Sequence, residues 1–117
     1  MQITKHTLIK ALKDEVPGFV IDPDSAEDSL GYPIINNLAR HICQEADVAY
    51  WTNDAYGSHE VKRALLFLER CLELGDQYVR DLVHECLDTL RSCNRIAQIR
   101  PDFGVLTLHL WNEFFKP

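Results

Sequence analysis

Two amphipathic stretches separated by Gly75-Asp76 constrain this chain more than any other feature. From Ser58 onward Val61, Ala64, Leu65, Leu68 and Leu72 recur at helical spacing, and after the Gly-Asp pair Val79, Leu82, Val83, Cys86, Leu87 and Leu90 do the same, up to about Asn94. Such spacing gathers apolar side chains into one stripe along a helix. Gly75 is suited to the left-handed conformation that ends one helix, and the Asp76 carboxylate can accept the free N–H groups that open the next. Ser58 is the candidate cap of the first helix. A connection this short predicts an antiparallel helical hairpin.

The remaining elements extend the pattern. Pro33 suits a first helical turn, and Ile34, Ile35, Leu38, Ile42 and Cys43 follow it, so about Tyr32 to Val48 reads as a helix. Upstream, Thr4 or Thr7 caps a helix carrying Leu8, Ile9, Leu12 and Val16, which Pro17-Gly18 ends. Pro101-Asp102 is a start signal for a last helix with Val105, Leu106, Leu108, Leu110, Trp111, Phe114 and Phe115. That helix is apolar nearly all round, which predicts burial at the centre of the fold or at a subunit contact. A short turn around Arg95 to Ile99 precedes it. The only strand-like run, Gly18 to Ile21, has no partner to pair with. The expectation is an all-α bundle of about five helices in a single domain spanning residues 1–117.

Composition agrees with that class. With 117 residues, 46% hydrophobic and 26% charged, the chain is long enough for one core and too short for two. No run approaches the roughly 18 apolar residues of a membrane helix, and MQITKHTLIKALKDEV lacks a signal-peptide apolar segment, so a cytoplasmic location is expected. Cys43, Cys71, Cys86 and Cys93 fall within apolar helical patterns, which suits reduced, buried thiols acting as small hydrophobes.

The net charge of −6 is unevenly distributed. Lys5, Lys10 and Lys13 make the first residues basic, whereas Asp14, Glu15, Asp22, Asp24, Glu27, Asp28, Glu45, Asp47, Asp54 and Glu60 face Arg40 alone across residues 14–61. From residue 62 onward acids and bases balance. A single-sign block of this length repels nucleic acid and anionic membrane and steers basic partners toward it. Acids in loops and helix starts also simply keep a small domain soluble.

Within that block, AYWTNDAYGS reads as a loop between two helices and brings Tyr50, Trp51 and Tyr56 together with Asp47 and Asp54. Aromatic rings provide contact area and acids speed association, the usual make-up of a hot spot for a basic protein. The alternative is that Tyr50 and Trp51 fold back onto the core. The candidate partner-binding residues are Asp22, Asp24, Glu27, Asp28, Asp47, Tyr50, Trp51, Asp54 and Tyr56.

Catalytic patterns are absent from the sequence. His41 and Cys43, like His84 and Cys86, stand two apart and so occupy different faces of a helix, and there is no CxxC or HExxH. Asp81, His84, Glu85 and Asp88 share what reads as a solvated face of the second hairpin helix, with no nucleophile beside them. A reactive thiol requires an exposed cysteine beside a cation such as Arg70 or Arg95. No glycine-rich phosphate loop exists. A non-enzyme without metal or cofactor is expected.

The stretch EVKRALLFLERCLELGDQYVRDLVHECLDTL resembles a segment of small, acidic, all-helical bacterial immunity proteins of polymorphic toxin systems. The matching residues are Phe67-Leu68-Glu69, Gly75-Asp76, Val79, Leu82-Val83 and Leu87, and the resemblance covers about 60–115. It implies a protein that binds and neutralises one cognate toxin domain. An acidic inhibitor best complements a basic, nuclease-type toxin. The rival expectation is a helical adaptor that docks a partner helix beside the last helix, with an exposed apolar patch at Leu106, Leu110 and Phe114. Homodimerisation through that helix is compatible with both.

Overall fold

Ile3 ties the N-terminus to the Gly75-Asp76 turn: its N–H donates to the Leu74 carbonyl (2.9 Å) and its carbonyl accepts from the Asp76 N–H (3.1 Å). This computed structural model describes residues 2–21, 32–52 and 55–115, with the side chains of 32 and 55–57 outside that description. Six α-helices are present among the described residues: α1 (Leu8–Glu15), α2 (Tyr32–Thr52), α3 (Ala55–Leu74), α4 (Gln77–Leu90), α5 (Ile96–Ile99) and α6 (Val105–Phe114). A 3-10 turn, Arg100–Asp102, joins the last two. The short α5 arises in the stretch read from sequence as a connecting turn. Apart from the bridge between Ile3 and Gly75, the described residues contain no strand.

Asp76 performs the cap its position suggests, accepting the Val79 N–H at 3.0 Å. Gly75 serves a different purpose from the one expected. Its φ lies outside the left-handed range, and a Cβ there would collide with the Cys71 carbonyl oxygen and stand 2.7 Å from Val79 Cγ1. Glycine is required by close approach, not by handedness. Every apolar position read into α4, from Val79 to Leu90, is buried. At α1, Thr7 holds the cap position without a side-chain bond to the helix, and its Oγ1 accepts from the Thr4 N–H at 2.8 Å.

Helix α2 packs extensively against both α3 and α4. It runs past Val48 to Thr52, correcting the expected end. The reason lies on its inner face, where the buried Ile35, Leu38, Ala39, Ile42 and Ala46 lead on to the half-buried Ala49, so the apolar stripe keeps its helical period into the last turn. Helix α3 likewise begins at Ala55, before the expected Ser58 cap.

The last helix departs most from expectation. It starts at Val105, not Pro101, and only Thr107 and Trp111 are buried within it, while Val105 is 82% and Phe114 55% exposed. Its docking side is an aromatic cluster in which Trp111 meets Phe103 (5.4 Å between centroids) and Phe115 (5.2 Å). Glu69 of α3 supplies its cap, accepting the N–H groups of Leu106 and Thr107 at 2.8 Å each. Central burial of this helix is therefore overturned. Its first turn is fixed by a side chain from another element, which local sequence around Pro101 does not reveal.

Candidate functional site

The outer face of α2 ends in a run of polar and aromatic side chains. Asp47 lies one turn beyond Cys43, and Tyr50 and Trp51 occupy the last turn, where Thr52 Oγ1 donates to the Val48 carbonyl at 2.7 Å. The expected loop is thus helix at these positions. Tyr50 is 54% and Trp51 72% exposed, which removes the alternative that they fold back onto the core. Their rings meet edge to face, with centroids 5.3 Å apart.

Arg95 organises this surface. Its Nε donates to Asp47 Oδ1 at 2.8 Å, and its guanidinium lies 3.7 Å from the Tyr50 ring centroid and 5.5 Å from that of Trp51. Only 13% of the Arg95 side chain is exposed. Covering the cation strengthens both the ion pair and the cation–π contacts, because less water competes for the charge. An outward-facing aromatic pair results, backed by a neutralised cation. Sequence reading missed Arg95 as part of this surface, since it stands 48 residues from Asp47 and no local pattern links them.

Beneath the platform lies a small cavity of about 140 Å³. Ala46, Ala49 and Tyr50 of α2, Ser58 and Val61 of α3, Gln98 and Ile99 of α5, and Asp102 line it. Its lining is largely apolar with a few polar groups.

Cys43 and Cys93 form a disulfide with Cα atoms 6.0 Å apart, which corrects the expectation that all four cysteines are reduced. The periodic position of Cys43 placed it correctly on α2, but Cys93 lies in the turn after α4, and the fold brings that turn against α2. Cys71 and Cys86 are free and buried. Desolvation raises the Cys71 thiol from 9.0 to about 12, with Glu15 adding to the rise and Arg70 opposing it, and burial raises Cys86 further.

Of the nine candidate residues, the structure brings Asp47, Tyr50 and Trp51 together. Asp22, Asp24, Glu27, Asp28 and Asp54 lie outside the described residues, as does the side chain of Tyr56, whose backbone belongs to the first turn of α3. On the Asp81, His84, Glu85 and Asp88 face Asp81 is exposed and the other three are half-buried, and His84 is the member that packs on other side chains. His84 packs against the rings of Phe114 (5.0 Å) and Phe115 (5.2 Å), Asp88 pairs with Arg91 (3.1 Å), and Asp81 accepts from Gln77 (2.8 Å). His41 faces Glu60 of α3 at 3.6 Å. Among the described residues no three His, Cys, Asp or Glu side chains gather as a metal site, and no helix is long and apolar enough to cross a membrane. No family model, curated protein or solved structure matches the chain.

Proposed function

We propose that this chain is an inhibitor of the immunity kind, which binds a cognate, basic toxin domain through the surface around Tyr50 and Trp51 and has no catalytic activity of its own. The observation that carries this reading is the Arg95 clamp: two exposed aromatic rings are held by a cation that is itself held by Asp47. Trp, Tyr and Arg dominate protein-binding hot spots, and side chains ordered before binding lose less entropy when a partner arrives. On this reading α3 and α4 form an antiparallel hairpin that serves as the scaffold, with α1, α2 and α6 as the other principal helices of a five-helix bundle.

Asp47 is compensated by Arg95, so electrostatic steering falls to Asp22, Asp24, Glu27, Asp28 and Asp54. The binding partner is a protein and not nucleic acid or membrane, and the setting is the cytoplasm. The test is co-purification with the variable C-terminal domain of a secreted protein encoded beside this chain, followed by association kinetics. Charge reversal at Asp22, Asp24 and Asp54 is expected to slow association mainly. Unchanged kinetics would sink the electrostatic part of the proposal.

A second reading has its own observation. Val105, Leu106, Leu108 and Phe114 of α6 are exposed, and a groove beside them is lined by Leu72, Glu73, Arg80, Leu106, His109 and Leu110. This favours an adaptor that docks a partner helix, or a homodimer through α6. Leu106→Asp abolishes binding on that reading and spares it on the first.

A further inference from the structure

Three links join α2 to the turn after α4 within about two helical turns: the Cys43–Cys93 disulfide, the Asp47–Arg95 ion pair, and the stacking of Arg95 on Tyr50. Only the first is covalent. It closes a loop of sequence separation 50, and it holds Cys93 two residues from Arg95, where the Arg95 N–H donates to Cys93 Sγ at 3.4 Å. The same turn leads into α5, whose Gln98 and Ile99 form one wall of the cavity under Tyr50. We propose that Cys43–Cys93 is a thiol–disulfide exchange site that sets whether the Tyr50–Trp51 platform is locked or loose. The proposal rests on the reading of that platform as the docking surface.

The surroundings of the two sulfurs favour attack from one side. Cys43 is half-buried and Cys93 nearly buried, so an incoming thiolate reaches Cys43. The reductant is a dithiol of the thioredoxin or dithiothreitol class. One of its thiolates bonds to Cys43 Sγ while the S–S electron pair leaves on Cys93 Sγ, where the Arg95 N–H stabilises the departing thiolate. The second thiolate of the reductant then attacks the mixed disulfide at the reductant's own sulfur and releases the Cys43 thiolate. The protein gains two electrons, the dithiol becomes a disulfide, and its two protons pass to Cys43 and Cys93.

Cys71 and Cys86 cannot substitute, because both are buried among apolar side chains. Exchange is therefore confined to the one pair that touches the platform. After reduction Arg95 is held only by a partly exposed ion pair and ring contacts, which yield to salt and thermal motion far more readily than a covalent bond.

The experiment uses the full chain without any partner. Hydrogen–deuterium exchange is followed over peptides 44–52 and 91–99, with 64–88 as internal reference, after treatment with oxidised glutathione and again with dithiothreitol. Reduction should add roughly 2 Da, counted by alkylation, and speed exchange in the first two peptides by at least about tenfold while the reference is unchanged. A Cys43→Ser, Cys93→Ser variant should match the reduced chain and ignore dithiothreitol. No disulfide in oxidised glutathione, equal exchange in both states, or loss of protection throughout the chain would each overturn the proposal. Failure of the docking reading shows instead as unaltered partner binding by a Trp51 variant, so the two outcomes are separable.

Discussion

Glu69 of α3 grips Thr107 of α6 twice: one carboxylate oxygen, Oε1, accepts both the Thr107 N–H and its hydroxyl, each at 2.8 Å. The other oxygen takes the Leu106 N–H at 2.8 Å, so a single side chain satisfies two of the orphan donors that open the last helix and fixes where it begins. Glu69→Ala leaves those donors unpaired and should cost about 1–3 kcal/mol. Denaturant unfolding measures it, and Glu69→Gln, which keeps one acceptor, should lose less. A loss below about 0.5 kcal/mol for Glu69→Ala would mean that the cap contributes little.

Gly75 should not tolerate a methyl group. Because a Cβ there meets the Cys71 carbonyl and Val79, Gly75→Ala is expected to destabilise by about 1–3 kcal/mol through overpacking. A left-handed glycine would also resist alanine, so the discriminating variant is Gly75→Asn, whose backbone tolerates that conformation. Asparagine should be worse than alanine here, as read by the midpoint of urea unfolding. An asparagine that restores stability would contradict the close-approach account.

The buried thiols make stability fall in alkali. An unfolded Cys71 ionises near its ordinary 9.0, whereas in the folded chain burial holds it at about 12, so between those values the unfolded state has bound fewer protons and is favoured as pH rises. Cys86 acts in the same direction. The stabilising effect is complete below about pH 9 and lost toward pH 12. A Cys71→Ala, Cys86→Ala variant should show a shallower decline in unfolding free energy over that window than the wild type. Parallel curves would mean that these thiols ionise in the folded chain as readily as in the unfolded one.

Much of this arrangement is legible in the residues themselves. The apolar stripes of α3 and α4 and the Asp76 cap follow directly from spacing, since they depend on neighbours within one turn or two. What the sequence could not convey are contacts between distant segments. Arg95 reaching Asp47, Cys93 meeting Cys43 and Glu69 capping α6 each link residues tens of positions apart. The rings of Tyr50 and Trp51 misled in an instructive way: as exposed aromatics among polar residues they resemble a loop, although Ala46 and Ala49 carry the apolar stripe of the helix onward beside them. Helix α6 misled in the reverse sense, because its all-round apolar character predicts burial, whereas Val105 and Phe114 face solvent.

Arg95 should matter to the platform more than to the fold. Arg95→Ala removes the clamp, leaves Asp47 half-exposed and solvated, and is expected to cost no more than about 1 kcal/mol of stability. The indole N–H resonance of Trp51 should shift and sharpen as the ring becomes mobile, while that of the buried Trp111 stays in place. A shift at Trp111 of equal size would indicate general loosening.

The most direct test of the central claim is the affinity of the cognate toxin domain for the Trp51→Ala variant, measured beside its thermal stability. Trp51 is 72% exposed, so stability should change by no more than about 0.5 kcal/mol. Loss of a hot-spot ring should weaken binding by at least about 30-fold, equivalent to roughly 2 kcal/mol. Wild-type affinity in Trp51→Ala together with lost binding in Leu106→Asp would contradict the account and move the docking surface to α6.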